Sequence, residues 1–182
     1  MSNTELPKSV DPYRLAEQKS VLEGFVPLRA LSRFADCIVA GGSSEAEPVC
    51  DVTLTFSQDA ERRRIVAGQL SADVVLECQR CMKPMNATLT SQFKLGFVTS
   101  DAQAQQLPKE LEPYMAEDFS ADLWVLVEDE LLLVLPPFPK HGRDECSASE
   151  ALEELEPDAD EVEGGERDNP FNVLADLKTK KH

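Results

Sequence analysis

The chain has little of what enzymes, membrane proteins and RNA readers depend on. It contains two histidines and no glycine-rich loop of the kind that cradles a phosphate. General-base capacity is therefore scant, and nothing in the sequence supports an enzyme. One Trp and two Tyr occur in 182 residues, none of them near the basic run Arg62-Arg63-Arg64. Direct sequence-specific reading of RNA, which leans on aromatic rings that stack on bases, is not indicated. The longest nearly apolar run, residues 131–138, is far too short to cross a bilayer and is broken by prolines. The opening Met1-Ser2-Asn3-Thr4-Glu5 lacks the basic and apolar regions of a signal peptide, so a cytoplasmic location is expected. Five cysteines, an odd number in a compartment that keeps thiols reduced, argue against a disulfide framework.

Acid is plentiful, and its distribution is uneven. The formal net charge is −16. Residues 110–168 hold 20 acidic and 3 basic side chains, which leaves 14 acidic and 15 basic in the remainder. The whole excess of negative charge therefore sits in one block. Such a block repels nucleic acid and attracts basic proteins, among which ribosomal proteins are the obvious cytoplasmic pool. For residues 148–168 the plain alternative is a solvating, disordered linker.

The patterning predicts an α+β domain over residues 1–147. Residues 18–26 alternate weakly, as an edge strand ending near Gly24. Pro27 then introduces a short helix with Leu28, Leu31, Phe34 and Ala35 on one face. Cys50, Val52, Leu54 and Phe56 alternate with polar residues as a half-buried strand, and residues 64–77 are extended with a plausible bulge at Gly68. Residues 85–98 alternate again. Three successive strands with short turns predict an antiparallel meander, or a partial barrel. Residues 99–119 read as a loop, and residues 121–135 as a helix capped by Ser120 and packed on the sheet. On that helix Glu128 and Asp129 read as a solvated face rather than as paired acids.

The chemistry-bearing residues are few. Cys78-Gln79-Arg80-Cys81 ends an extended run, and two thiols at that spacing can grip one metal or cycle as a disulfide. Redox cycling favours a pair at a helix N-terminus, whereas here Met82-Lys83-Pro84 and another strand follow. His141 and Cys146, just after Leu135-Pro136-Pro137-Phe138-Pro139, complete a possible Cys3His set for one structural zinc. The alternative is two turn cysteines, a surface histidine and a free thiol. Cys37 and Cys50 fall on apolar faces and read as packed small hydrophobes. Arg62, Arg63 and Arg64, with Arg80 and Lys83, form a basic set that on a hairpin reaches RNA phosphates or simply marks a solvated turn. In residues 169–182, Asn169 caps a short helix, Pro170 fits its first turn, and Phe171, Leu174 and Leu177 share a face. That is the form of a docking helix behind an acidic linker, or of a helix that packs back on its own domain.

Four blocks in order give the chain a family likeness: Leu6-Pro7 with Asp11-Pro12 and Arg14-Leu15-Ala16; residues 76–84 around the Cys pair; residues 127–136; and Asn169-Pro170-Phe171 with Leu174 and Leu177-Lys178. Together they resemble the YceD family, the large ribosomal RNA subunit accumulation proteins of bacteria and plastids. The resemblance implies a non-enzymatic ribosome biogenesis factor acting in synthesis, processing or stability of large-subunit (23S) ribosomal RNA. It implies as partner the large-subunit precursor, reached through a basic ribosomal protein or an rRNA-processing factor, with direct RNA contact open and no membrane involved. The competing expectation is a zinc-stabilised or redox-sensing interaction protein unrelated to ribosomes.

Overall fold

The computed structural model describes residues 4–39, 47–116 and 119–153. The elements, in chain order, are β1 (Ser9–Val10), α1 (Pro12–Glu17), β2 (Val21–Pro27), α2 (Ser32–Ala35), β3 (Val49–Gln58), β4 (Arg64–Glu77), β5 (Pro84–Val98), α3 (Asp101–Ala104), β6 (Glu112–Met115), β7 (Ala121–Asp122), α4 (Leu123–Val134) and α5 (Ser149–Glu153). The chain divides into two compact units, one ending at His141 and one beginning at Gly142.

In the first unit the sheet runs β2-β3-β4-β5-β6. The first four strands are an antiparallel meander, as the alternation predicts, and the sheet is open rather than closed into a barrel. Strict period-two burial explains the register. Cys50, Val52, Leu54 and Phe56 of β3 and Leu70, Ala72, Val74 and Leu76 of β4 all turn to the core. α4 supplies Leu123, Leu126, Val127 and Leu131 to the same core at helical spacing, joined by Phe34 from α2. A fully buried side chain of this kind contributes about 1.5–3 kcal/mol.

Several expectations need correction. Gly68 makes no bulge: the pairs Leu54↔Gly68 and Gly68↔Phe93 keep register. Its role is space, since a Cβ there would lie 2.0 Å from the Phe93 ring, which covers the bare backbone. Residues 99–119 are more than a loop. Ser100 caps α3, and β6 lies parallel to the end of β5. The helix after Pro27 is two pieces, a 3-10 turn over Leu28–Ala30 and then α2, because Leu31 between them is extended. The α4 cap is Asp122, whose Oδ1 accepts from the N–H groups of Trp124 (3.0 Å) and Val125 (3.1 Å). Ser120 Oγ meets Ser9 Oγ instead (2.7 Å), where β7 pairs with β1.

In the second unit Arg143–Glu145 form a 3-10 turn, Cys146 follows, and α5 begins where Ser149 N–H bonds the Cys146 carbonyl (3.0 Å). α5 thus falls within the stretch expected as acidic linker. Residues 154–168 of that stretch, and the expected docking helix 169–182, lie outside the described residues.

Candidate metal centre

The β4–β5 hairpin ends in a tight turn that the backbone closes on itself. Cys78 N–H donates to the Lys83 carbonyl (3.0 Å) and Met82 N–H to the Cys78 carbonyl (2.8 Å), with Met82 at φ 56°. This turn places Cys78 at the buried strand end and Cys81 beside it. The proline-rich segment after α4 then docks against it: Gln79 N–H donates to the Pro139 carbonyl (2.9 Å), and the Gln79 side-chain amide to that of Pro137 (3.4 Å). Sixty residues of sequence are thereby closed, and His141 arrives at the two thiols.

The donor atoms of Cys78, Cys81 and His141 lie within 4.8 Å of one another. Cys81 Sγ is 3.4 Å from His141 Nδ1, against about 3.5 Å between a sulfur and a nitrogen on one tetrahedral zinc. His141 Nε2 is 3.2 Å from the Pro84 carbonyl, which can only accept. Nε2 can therefore donate to that carbonyl, which leaves Nδ1 as the ring nitrogen facing the thiols, the orientation a metal-binding imidazole needs once neutral. Burial alone would raise the Cys78 thiol. Donation to its sulfur from the backbone N–H groups of His141 (3.4 Å), Cys81 and Arg80, and from the Cys81 side chain, outweighs that and brings it down to about 5. The hydrogen bond to Cys78 raises His141 against the opposing effect of desolvation, with Cys81 adding to the rise. A sulfur held as thiolate among N–H donors is a metal-ligand environment. Cys146 belongs to the second unit, five residues beyond His141.

Residues 66–178, which include all four candidate ligands, match the family described as large ribosomal RNA subunit accumulation protein YceD. A protein of that name from Haemophilus influenzae is 37% identical over 183 residues, spanning 99% of this chain and 100% of its own length. The chain belongs to the YceD family. No solved structure matches it, so the geometry of this YceD chain is read from its own residues.

The five basic residues do not form one patch. Arg62, Arg63 and Arg64 lie at the β3–β4 turn, and Arg80 and Lys83 at the opposite end of β4, about 40 Å away along a 14-residue strand. Arg63 is bound by Asp59 (2.6 Å) and Glu61 (3.1 Å). Arg64 lies over the Tyr13 ring and 3.8 Å from Glu17. Of the two cysteines read as core, Cys50 is fully buried and its thiol is pushed up to about 12 by desolvation, whereas Cys37 is exposed.

Glu128 is no part of a solvated face. Its Oε1 accepts the backbone N–H groups of Arg33 (2.7 Å) and Phe34 (3.2 Å), and its Oε2 accepts Arg33 Nε (2.9 Å) and Nη2 (2.7 Å). It caps α2 from 95 residues away. Nothing near either residue in the sequence announces this pairing. Asp129, half exposed, shares the Arg33 guanidinium (2.7 Å). Among the described residues no helix is long and apolar enough to cross a membrane.

Proposed function

We propose that this protein is a non-enzymatic biogenesis factor of the large ribosomal subunit, working in the cytoplasm on the synthesis, processing or stability of 23S ribosomal RNA. The observation that carries it is the nearly full-length match to a protein named for large ribosomal RNA subunit accumulation. One structural zinc, held by Cys78, Cys81, His141 and Cys146, belongs to the same proposal. It is supported by the compatible Cys81–His141 spacing, the Nε2–Pro84 contact that turns Nδ1 to the thiols, and the lowered Cys78 thiol. A closed four-ligand site leaves no position for substrate, so the metal would supply folding energy alone, tying the proline-rich segment to the hairpin.

The protein acts as an adaptor. The acidic block of residues 110–168 draws a basic ribosomal protein or processing factor, and Asn169, Pro170, Phe171, Leu174 and Leu177 anchor it. Sedimentation of native extract through a sucrose gradient tests this. The protein is expected to travel with precursor large subunits. Its confinement to the top of the gradient, at low salt as well as physiological salt, would remove the adaptor role.

A further inference from the structure

We infer that the tip of the β4–β5 hairpin, together with the segment 137–140 bound to it, is a contact surface for single-stranded ribosomal RNA. The inference rests on the function proposed above and names the ligand and the site. Three cations, Arg80, Lys83 and Lys140, stand on these two adjoining segments, and none of them forms an ion pair among the described residues. Lys83 and Lys140 are exposed, while Arg80 keeps one guanidinium nitrogen, Nη1, buried with no acceptor. At the β3–β4 turn Arg63 is engaged by Asp59 and Glu61 and Arg64 lies 3.8 Å from Glu17, although Arg64 Nε is likewise buried without an acceptor. Glu77 stands at the base of the hairpin tip, opposite Pro84.

Beside these charges stand two large exposed apolar side chains, Phe138 (69% exposed) and Met82 (65% exposed). Phe138 lies between Pro137 and Pro139, and Gln79 holds the carbonyls of both prolines. The backbone bearing this ring is therefore fixed before anything binds, which lowers the entropy cost of contact. A ring set among unpaired cations suits an unstacked base flanked by phosphates, since bases stack on aromatic faces while Lys and Arg take the backbone. An RNA duplex offers no free base to that ring. Sequence order concealed the site, because Phe138 and Lys140 stand more than fifty residues from the Cys turn.

The test uses the purified full chain and a fluorescently labelled 15-nucleotide single-stranded RNA, with the same strand annealed into a duplex for comparison. Polarisation should show binding to the single strand and weaker binding to the duplex. Phe138→Ala should weaken it about tenfold with an unchanged salt slope. Lys83→Glu with Lys140→Glu should weaken it more and flatten the slope by about 0.7 per cation lost. Lys94→Glu, one such charge reversal on the sheet face, should do neither. Circular dichroism melts confirm that each variant is folded. Absence of RNA binding, equal binding by the tip variants, or an equal loss with Lys94→Glu would overturn the inference. In a deletion strain, full restoration of 23S RNA by the tip variants would also sink it while leaving the proposed function standing. Tip variants that lose a protein partner but bind RNA as the parent does would make this a protein-docking surface instead, and would overturn it too.

Discussion

Replacing Glu128 by Ala tests how the first unit is held together. The carboxylate accepts four N–H groups, two from the backbone at the start of α2 and two from the Arg33 guanidinium. Glu128 to Ala strands the backbone pair, and a buried donor without a partner costs about 1–3 kcal/mol. The guanidinium is 52% exposed and keeps Asp129 and water, so losing Glu128 there adds little. The loss should therefore total about 3 kcal/mol, which for a chain of this length lowers Tm by about 6–12 °C. Glu128→Gln keeps one oxygen for the two backbone donors and gives up the charge, so it should cost about 1 kcal/mol. Urea unfolding followed by fluorescence of Trp124, the single tryptophan and a member of the same helix, reads both variants. Burial pushes the Glu128 carboxyl up, but Arg33 and the two N–H groups outweigh it and hold the carboxyl below its ordinary range. Its contribution is thus complete above the ordinary glutamate range and fades as pH falls through that range and below, and the gap between parent and Glu128→Ala should narrow in acid. A Glu128→Ala protein within 0.5 kcal/mol of the parent at pH 7 would refute the capping argument.

Purified protein should carry close to one zinc per chain by elemental analysis, and Cys78→Ser should lower both zinc content and Tm, while Cys37→Ser changes neither; metal-free protein indifferent to a chelator excludes the site. Acid should release the metal, since only thiolate and neutral imidazole bind it. Gly68→Ala should destabilise by about 1–3 kcal/mol, because its Cβ needs the space of the Phe93 ring; adding Phe93→Ala should cost less than the sum of the two single changes, and strict additivity would remove the coupling. Phe171→Ala should raise the off-rate from pre-ribosomal particles with little effect on salt dependence, and neutralising Glu153, Glu154 and Glu156 should flatten that dependence. If both variants dissociate as the parent does, the tail is a solubilising appendage.

What could be read in advance was whatever repeats locally. Period-two alternation from Cys50 to Phe56 and across β4 is a one-strand property, and it gave strands, faces and meander order. The spacing of Leu123, Leu126, Val127 and Leu131 did the same for α4. The thiols at 78 and 81 were visible as a pair because one turn holds both. Features that depend on distant partners were hidden. Glu128 looks like any acid on a helix until Arg33 arrives, and β6 pairs with β5 through a short, weakly apolar strand. The cap passed from Ser120 to Asp122 because pairing with β1 carried the chain two residues further before the helix began. Phe138 could not be tied to the Cys turn because Gln79 makes that connection in space.

The ratio of mature 23S to 16S ribosomal RNA in a strain lacking this gene tests the central claim most directly, measured at standard and low growth temperature. A lowered ratio or a build-up of large-subunit precursors, restored by the parent gene, is the predicted result. An unchanged ratio with normal precursors under both conditions would contradict it.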